Sequence, residues 1–282
     1  MRALVLSGGG VKGAYQVGIL KRLMVDHGLQ YDAYCGISVG SLNAAFLAQY
    51  KDGAEAIRDL EDLWLKVKDK NIKKKWKFWG YVAALWKRSV FNSQPLMKWV
   101  KNSVSQEKIA ASGKLFRSSA VCWGDGKARV ATEKDPNLIE WVVASASFPI
   151  MFSPVEVEGQ LWADGGLRNM TPIGEAIRLG ATEIDVILCG NPSYLDPFNA
   201  KKRKALGLAG RAVEIMADQI MLADLQICGL KNDLAELNGK YKSIKLRVFR
   251  PHSDLGDNAL DFDPSLIRRL IHVGYEEADS QL

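Results

Sequence analysis

The chain has 282 residues, 48% of them hydrophobic and 25% charged, and a net charge of +6. That length supports one large α/β domain with a substantial core, and that composition excludes a disordered chain. Four scattered cysteines, Cys35, Cys122, Cys189 and Cys228, form no CxxC pair and no cysteine–histidine ligand spacing. Structural zinc is therefore not expected, and reduced thiols in a cytoplasmic protein are.

The first apolar run stops at Leu6, too short for a secretory leader, and reads as a buried strand from Arg2 to Ser7. Gly8-Gly9-Gly10 ends it. Val11 to His27 has helical spacing, with Ala14, Val17, Leu20, Leu23 and Met24 on one side and Gly28 as its stop. Tyr31 to Gly36 is a second short strand, followed by an apolar helix from Leu42 to Tyr50. Strand, helix, strand, helix at this spacing predicts βαβ units and a parallel sheet. A helix over Ala54 to Leu65 comes next, and another opens at Pro95 and runs to Val104.

Lys114 to Trp123 and Lys127 to Thr132 read as strands joined across Gly124-Asp125-Gly126, a hairpin signal. A helix starts at Pro136 and continues to Val143. Val155 to Val157 and Gln160 to Ala163 flank Glu158-Gly159 as a second hairpin. Thr171-Pro172 opens a helix to Leu179, and Glu183 to Cys189 is a core strand. Helical patterns over about Lys204 to Cys228 and Pro264 to Ala278 surround a strand at Ser243 to Phe249. With no repeat and no low-complexity linker, residues 1–282 are read as a single domain. No run reaches the roughly 18 apolar residues of a spanning helix.

Three motifs carry chemistry. Gly8-Gly9-Gly10-Val11-Lys12-Gly13 lies between a strand and a helix, where free backbone N–H groups and the helix dipole favour negative charge. On its own this GxGxxG also fits a dinucleotide loop or a tight turn. Gly36-Ile37-Ser38-Val39-Gly40 is GxSxG, again between strand and helix, and such a turn presents a serine hydroxyl at the sheet's C-terminal edge. Asp164-Gly165-Gly166 follows a strand, a pattern that also marks plain turns. A serine nucleophile needs a base. His27, near a helix end, His252, in a polar loop, and His272, on the last helix, stand outside any motif and read as surface residues. That favours a carboxylate as the base.

The ordered set GGGVKG, GISVG, ASASFP and DGG resembles the patatin-like phospholipases over residues 2–190. The resemblance implies a three-layer, patatin-like α/β fold with a central, mainly parallel sheet and helices on both faces. It implies a lipid acyl hydrolase, phospholipase A-like, working by a Ser–Asp dyad through an acyl-enzyme. Ser38 matches the nucleophile and Asp164 the dyad aspartate. The amides of Gly9, Gly10 and Val11 match the oxyanion-hole region, with Gly8, Gly13, Gly36, Gly40, Gly165 and Gly166 supporting the motifs. Lys12 stands where many members have arginine, and lysine lacks arginine's bidentate fork. No metal or cofactor is implied. Acyltransfer or general esterase action is the alternative within enzymes. A nucleotide-binding module is the alternative outside them, but the second strand runs into Gly36-Ile37-Ser38 instead of ending on an acid for ribose.

The positive charge is local. Between Lys66 and Arg88 nine basic residues face one acid, Asp69, giving +8, so the rest of the chain carries −2. Trp76, Trp79 and Trp86 interleave with these lysines in an insertion over about 66–90. Interfacial aromatics with lysines predict peripheral contact with an anionic membrane. A solvated loop with core aromatics is the bland reading, and nucleic acid, which the same residue types can bind, is not expected. A lipid or phospholipid is the expected partner, and the sequence carries no signal for oligomeric state.

Overall fold

A computed structural model describes residues 1–75, 88–190, 208, 212, 215–216, 219–230, 243–256 and 258–282. Its frame begins as the hydrophobic pattern requires. β1 (Arg2–Leu6) leads through the glycine-rich loop into α1 (Gly13–Lys21), β2 (Ala33–Gly36) and α2 (Val39–Leu47). α3 (Gly53–Lys66) is capped by Asp52, whose carboxylate accepts from Ala54 and Glu55 N–H. Then come α4 (Asp69–Ile72), β3 (Lys74–Lys75), β4 (Phe91–Asn92), α5 (Gln94–Ser103) and α6 (Gln106–Ser112). β5 (Leu115–Cys122), β6 (Ala128–Thr132), α7 (Leu138–Ser145), β7 (Val155–Val157) and β8 (Gln160–Asp164) complete the middle of the chain. α8 (Ile173–Arg178), β9 (Glu183–Ile187), helix α9 (219–230), β10 (Lys245–Phe249) and α10 (Pro264–Glu277) follow.

The main sheet has eight strands in the order β10-β9-β1-β2-β5-β8-β7, with β6 on the other edge of β5. From β10 through β5 every pair is parallel, as crossover helices demand. β6, β8 and β7 pair antiparallel. One register decides the rest. β2 pairs with β5 up to Gly36 opposite Ser118, while β8, running the other way, pairs with β5 down to Asp164 opposite Ala120. β6 covers the far edge of β5 over Arg117 to Val121. β2 and β8 therefore share the same edge and meet end to end, two residues apart, about 7 Å along the strand.

Helices cover both faces. On one, α1, α2, α3, α7 and α10 bury Leu4, Leu6, Tyr15, Leu20, Trp64 and Trp141. α1 and α10 cross through glycines: a Cβ on Gly18 would stand 2.0 Å from the Ile271 carbonyl oxygen, and one on Gly274 2.2 Å from that of Tyr15. On the other face α8 and α9 pack Ile173, Met221 and Cys228 against Ala3, Val5, Ala33 and Val186.

Three departures from the sequence pattern have physical causes. The first long helix is a 3-10 turn (Gly10–Lys12), then α1, then a π-helical turn (Arg22–Asp26), before Gly28 at φ 64° ends it. α6, a seven-residue helix, is too short to show a helical period, and it ends on Gly113 in the left-handed region. The basic insertion is closed at its base by the antiparallel pair β3–β4. Residues 76–87, with Trp76, Trp79 and Trp86, lie outside the described residues.

Candidate active site

Ser38 occupies a sharp turn at the C-terminal end of β2. Its backbone has φ 54° and ψ −126°, a conformation that a side chain other than glycine's resists. Neighbouring glycines let the turn close. A Cβ on Gly36 would lie 2.1 Å from the Gly40 carbonyl oxygen, and one on Gly40 2.2 Å from that of Leu6 at the end of β1. The Gly40 N–H donates back to Ile37 at 2.8 Å, and α2 starts at Val39. Ser38 thus sits at a helix N-terminus, half-buried, while the residues around it are buried.

Asp164 is the last residue of β8 and is 2% exposed. Its Oδ1 accepts the Gly166 N–H at 2.8 Å. Burial pushes its pKa up to about 7, against the opposing pull of the Gly166 amide and the Ser38 hydroxyl. Ser38 is thus near enough to act on the carboxyl. Among the described residues, however, Oδ2 has no hydrogen-bond partner at ordinary distance. The two facts describe one arrangement, a hydroxyl loosely apposed to a buried carboxylate, which is common in sites without substrate. The end-to-end register of β2 and β8 on β5 brings the pair together.

The glycine-rich loop passes over this pair. Gly8 sits above Ser38, with only 3.1 Å between its Cβ position and the Ser38 Cβ. Gly9 packs on Cys189, and Gly13 packs against Val39 of α2. Of the three amides read as oxyanion donors, the Val11 N–H is engaged elsewhere: it donates to the Ala259 carbonyl at 2.7 Å. Gly10, at φ 60°, is where the 258–262 strap crosses the loop: a Cβ there would stand 2.1 Å from the Ala259 oxygen. Lys12 pairs with Asp254 at 3.8 Å, four residues before that strap begins.

Sequence reasoning named ASASFP only as part of a pattern. Ser145 Oγ accepts the Ser38 N–H at 3.2 Å, and the Ser147 carbonyl accepts the Asp164 N–H at 3.1 Å. The end of α7 therefore holds both residues, and the motif itself was the signal for it. Gly165 packs on the Ser119 carbonyl, and Gly166 on Met170. His27 bonds Asp279 at 2.9 Å, the His252 backbone N–H donates to Glu277 at 3.2 Å, and His272 is exposed near Glu276.

With this geometry in view, the family model described as patatin-like phospholipase matches residues 4–177. The chain belongs to the patatin-like phospholipase family. It is 26% identical over 194 residues to the uncharacterized protein YjjU of Escherichia coli, covering 66% of this chain and 51% of that one. It is 25% identical over 206 residues to lysophospholipase NTE1 of Scheffersomyces stipitis, covering 70% of this chain and 12% of that protein. Patatin-like phospholipase domain-containing protein 7 of Rattus norvegicus is 27% identical over 199 residues, 70% of this chain and 14% of its own. The chain thus spans about half or less of the length of these relatives. VipD of Legionella pneumophila, a solved structure, matches with a TM-score of 0.49 at 14% identity, over 99% of this chain and 67% of its own, too weak a likeness to argue from.

Proposed function

We propose that this chain is a lipid acyl hydrolase that cleaves carboxylic esters, with Ser38 as nucleophile and Asp164 as its base. One observation carries the reading: a buried carboxyl with its pKa near 7 faces a serine in a strained turn at a helix N-terminus. A carboxylate at its ordinary pKa would be a poor base for a hydroxyl, and burial corrects that. In this mechanism Ser38 Oγ attacks the ester carbonyl as its proton passes to Asp164. The tetrahedral oxyanion points at the Gly9 and Gly10 amides, each contributing about 3 kcal/mol to lowering the barrier. Asp164 returns the proton to the leaving alcohol as the ester bond breaks. Water, deprotonated by the same carboxylate, then attacks the acyl-enzyme, releasing the fatty acid and restoring Ser38.

The substrate class follows from the family, and a phospholipid or lysophospholipid is the reading we adopt. The basic insertion between Lys66 and Arg88 would hold the enzyme on an anionic surface, and its base supports a place near the site: Phe91 N–H donates to Met151 at 2.9 Å, shortly after Ser147. The test is product analysis on a lipid panel, with and without an alcohol acceptor. Free fatty acid that forms regardless of acceptor supports hydrolysis. Acyl transferred to the alcohol in its place would make the chain an acyltransferase.

A further inference from the structure

Three buried polar side chains that the mechanism does not use are hydrogen-bonded in series. The Trp64 Nε1–H of α3 donates to Asn43 Oδ1 at 2.9 Å. Asn43 Nδ2 donates to Gln16 Oε1 at 2.9 Å and to the Gly13 carbonyl at 3.1 Å. Gln16 Nε2 donates to the Ser7 carbonyl at 2.9 Å and to the Ile187 carbonyl at 3.3 Å. Trp64, Asn43 and Gln16 are 2%, 1% and 0% exposed. Each amide nitrogen thus uses both of its hydrogens, and each amide oxygen accepts.

The direction of the series is dictated at both ends. An indole N–H only donates, so the Asn43 atom that faces it is the oxygen. Backbone carbonyls only accept, so the Gln16 atom that faces Ser7 and Ile187 is the nitrogen. Asn43 and Gln16 then meet nitrogen against oxygen. An apolar pair of the same size would fill the space between α1 and α2 without desolvating two amides. What the amides add is a fixed geometry.

Position says what that geometry serves. Asn43 lies on α2, five residues beyond Ser38, the residue that opens that helix. Gln16 lies on α1. Ser7 follows β1 and Gly13 begins α1, so their two carbonyls mark the two ends of the glycine-rich loop. The amide pair therefore fastens both ends of the loop to the helix that starts at Ser38.

We propose that Gln16 and Asn43 are positioning residues for the reaction: through Ser7 and Gly13 they set the glycine-rich loop at the distance from Ser38 that a developing oxyanion requires. This rests on the Ser38 reading above and adds to it two buried residues outside the dyad.

The test compares wild type, Gln16→Met and Leu23→Ala on a soluble short-chain ester, with a short-chain trifluoromethyl ketone as inhibitor. A serine adds to such a ketone to give a hemiketal oxyanion, a stable mimic of the tetrahedral intermediate. Gln16→Met keeps the length of the side chain but loses its three hydrogen bonds. Its kcat should fall about 30-fold or more with KM within about threefold, and its inhibition constant for the ketone should rise by a similar factor. A mere loss of folded protein lowers kcat and leaves that constant alone. Leu23→Ala opens a cavity at a fully buried position outside the series. It should lower the unfolding temperature and keep the inhibition constant within about twofold. Asn43→Ser, which retains one hydroxyl, should raise the constant by a smaller factor, and it carries the test if Gln16→Met does not fold. A constant unchanged in the folded variants, or moved as far by Leu23→Ala, overturns the proposal. Failure of the Ser38 reading looks different: wild-type protein would neither turn over the ester nor bind the ketone, and the proposal would fall with it.

Discussion

The Val11 amide donates to the Ala259 carbonyl across 2.7 Å, which ties the loop over Ser38 to a strap from the C-terminal part of the chain. The strap is itself held. Phe262 stacks on Trp64 with ring centroids 6.3 Å apart, its N–H donates to Asp69 at 3.0 Å, and Lys73 bonds the Leu260 carbonyl. The glycine-rich loop is thus held in place by residues that carry no motif.

Gly10→Ala should expose that dependence. The added methyl would collide with the Ala259 oxygen in a backbone with φ 60°. Turnover should fall about 100-fold with KM within about threefold, the pattern of a lost transition-state contact. Gly28→Ala is the control, with φ 64° and nothing within 4 Å of the new Cβ. It should cost about 1 kcal/mol of stability and leave kcat unchanged. Steady-state kinetics with thermal unfolding separates the two effects.

The raised pKa of Asp164 makes a signed prediction. In the proposed mechanism Asp164 acts deprotonated, so kcat/KM should rise with pH through about 7 and then level off. Stability runs the other way. A carboxyl held at about 7 in the folded chain and 3.8 in the unfolded one keeps its proton more firmly when folded. Its favourable contribution is complete below the unfolded value and is lost as pH rises through the folded one. Asp164→Asn removes that titration while an amide oxygen can still accept from Gly166. The variant should be nearly inactive, and its thermal stability relative to wild type should improve between pH 5 and pH 8.

Substituting each histidine by glutamine should leave turnover within about threefold, since none lies in the site. His27→Gln alone should show a small loss of stability, because its ring bonds Asp279 at 2.9 Å. A thousandfold fall in any folded histidine variant would require a triad.

The lysines of the basic insertion should separate by position. Lys73 is 16% exposed in its side chain, pairs with Asp69 at 3.0 Å and holds the strap. Lys73→Gln should therefore lower hydrolysis of soluble and vesicle substrates alike. Lys74→Gln/Lys75→Gln should weaken binding to anionic vesicles by about tenfold at low salt, less at high salt, and spare a soluble ester.

What could be read from the sequence was local. The strand, turn and helix around Ser38, the glycine-rich loop and the Asp164 turn each carry their geometry within a few residues, because tight turns demand glycine. The parallel sheet followed from alternating strand and helix patterns. The meeting of β2 and β8 along β5 had no such signal, since strand register is a tertiary property. Nor could the Ala259 strap be read, because a carbonyl acts through its backbone and leaves no mark in residue type. β3 and β4, two residues each, are too short to show a period.

The central claim is that Ser38 is the nucleophile, and locating a covalent adduct tests it most directly. A fluorophosphonate applied to the folded protein, followed by peptide mass spectrometry, should place one adduct on Ser38. Ser38→Ala, with its thermal unfolding unchanged, should take up none and hydrolyse no ester. An adduct on another serine, or normal turnover by folded Ser38→Ala, would contradict the account.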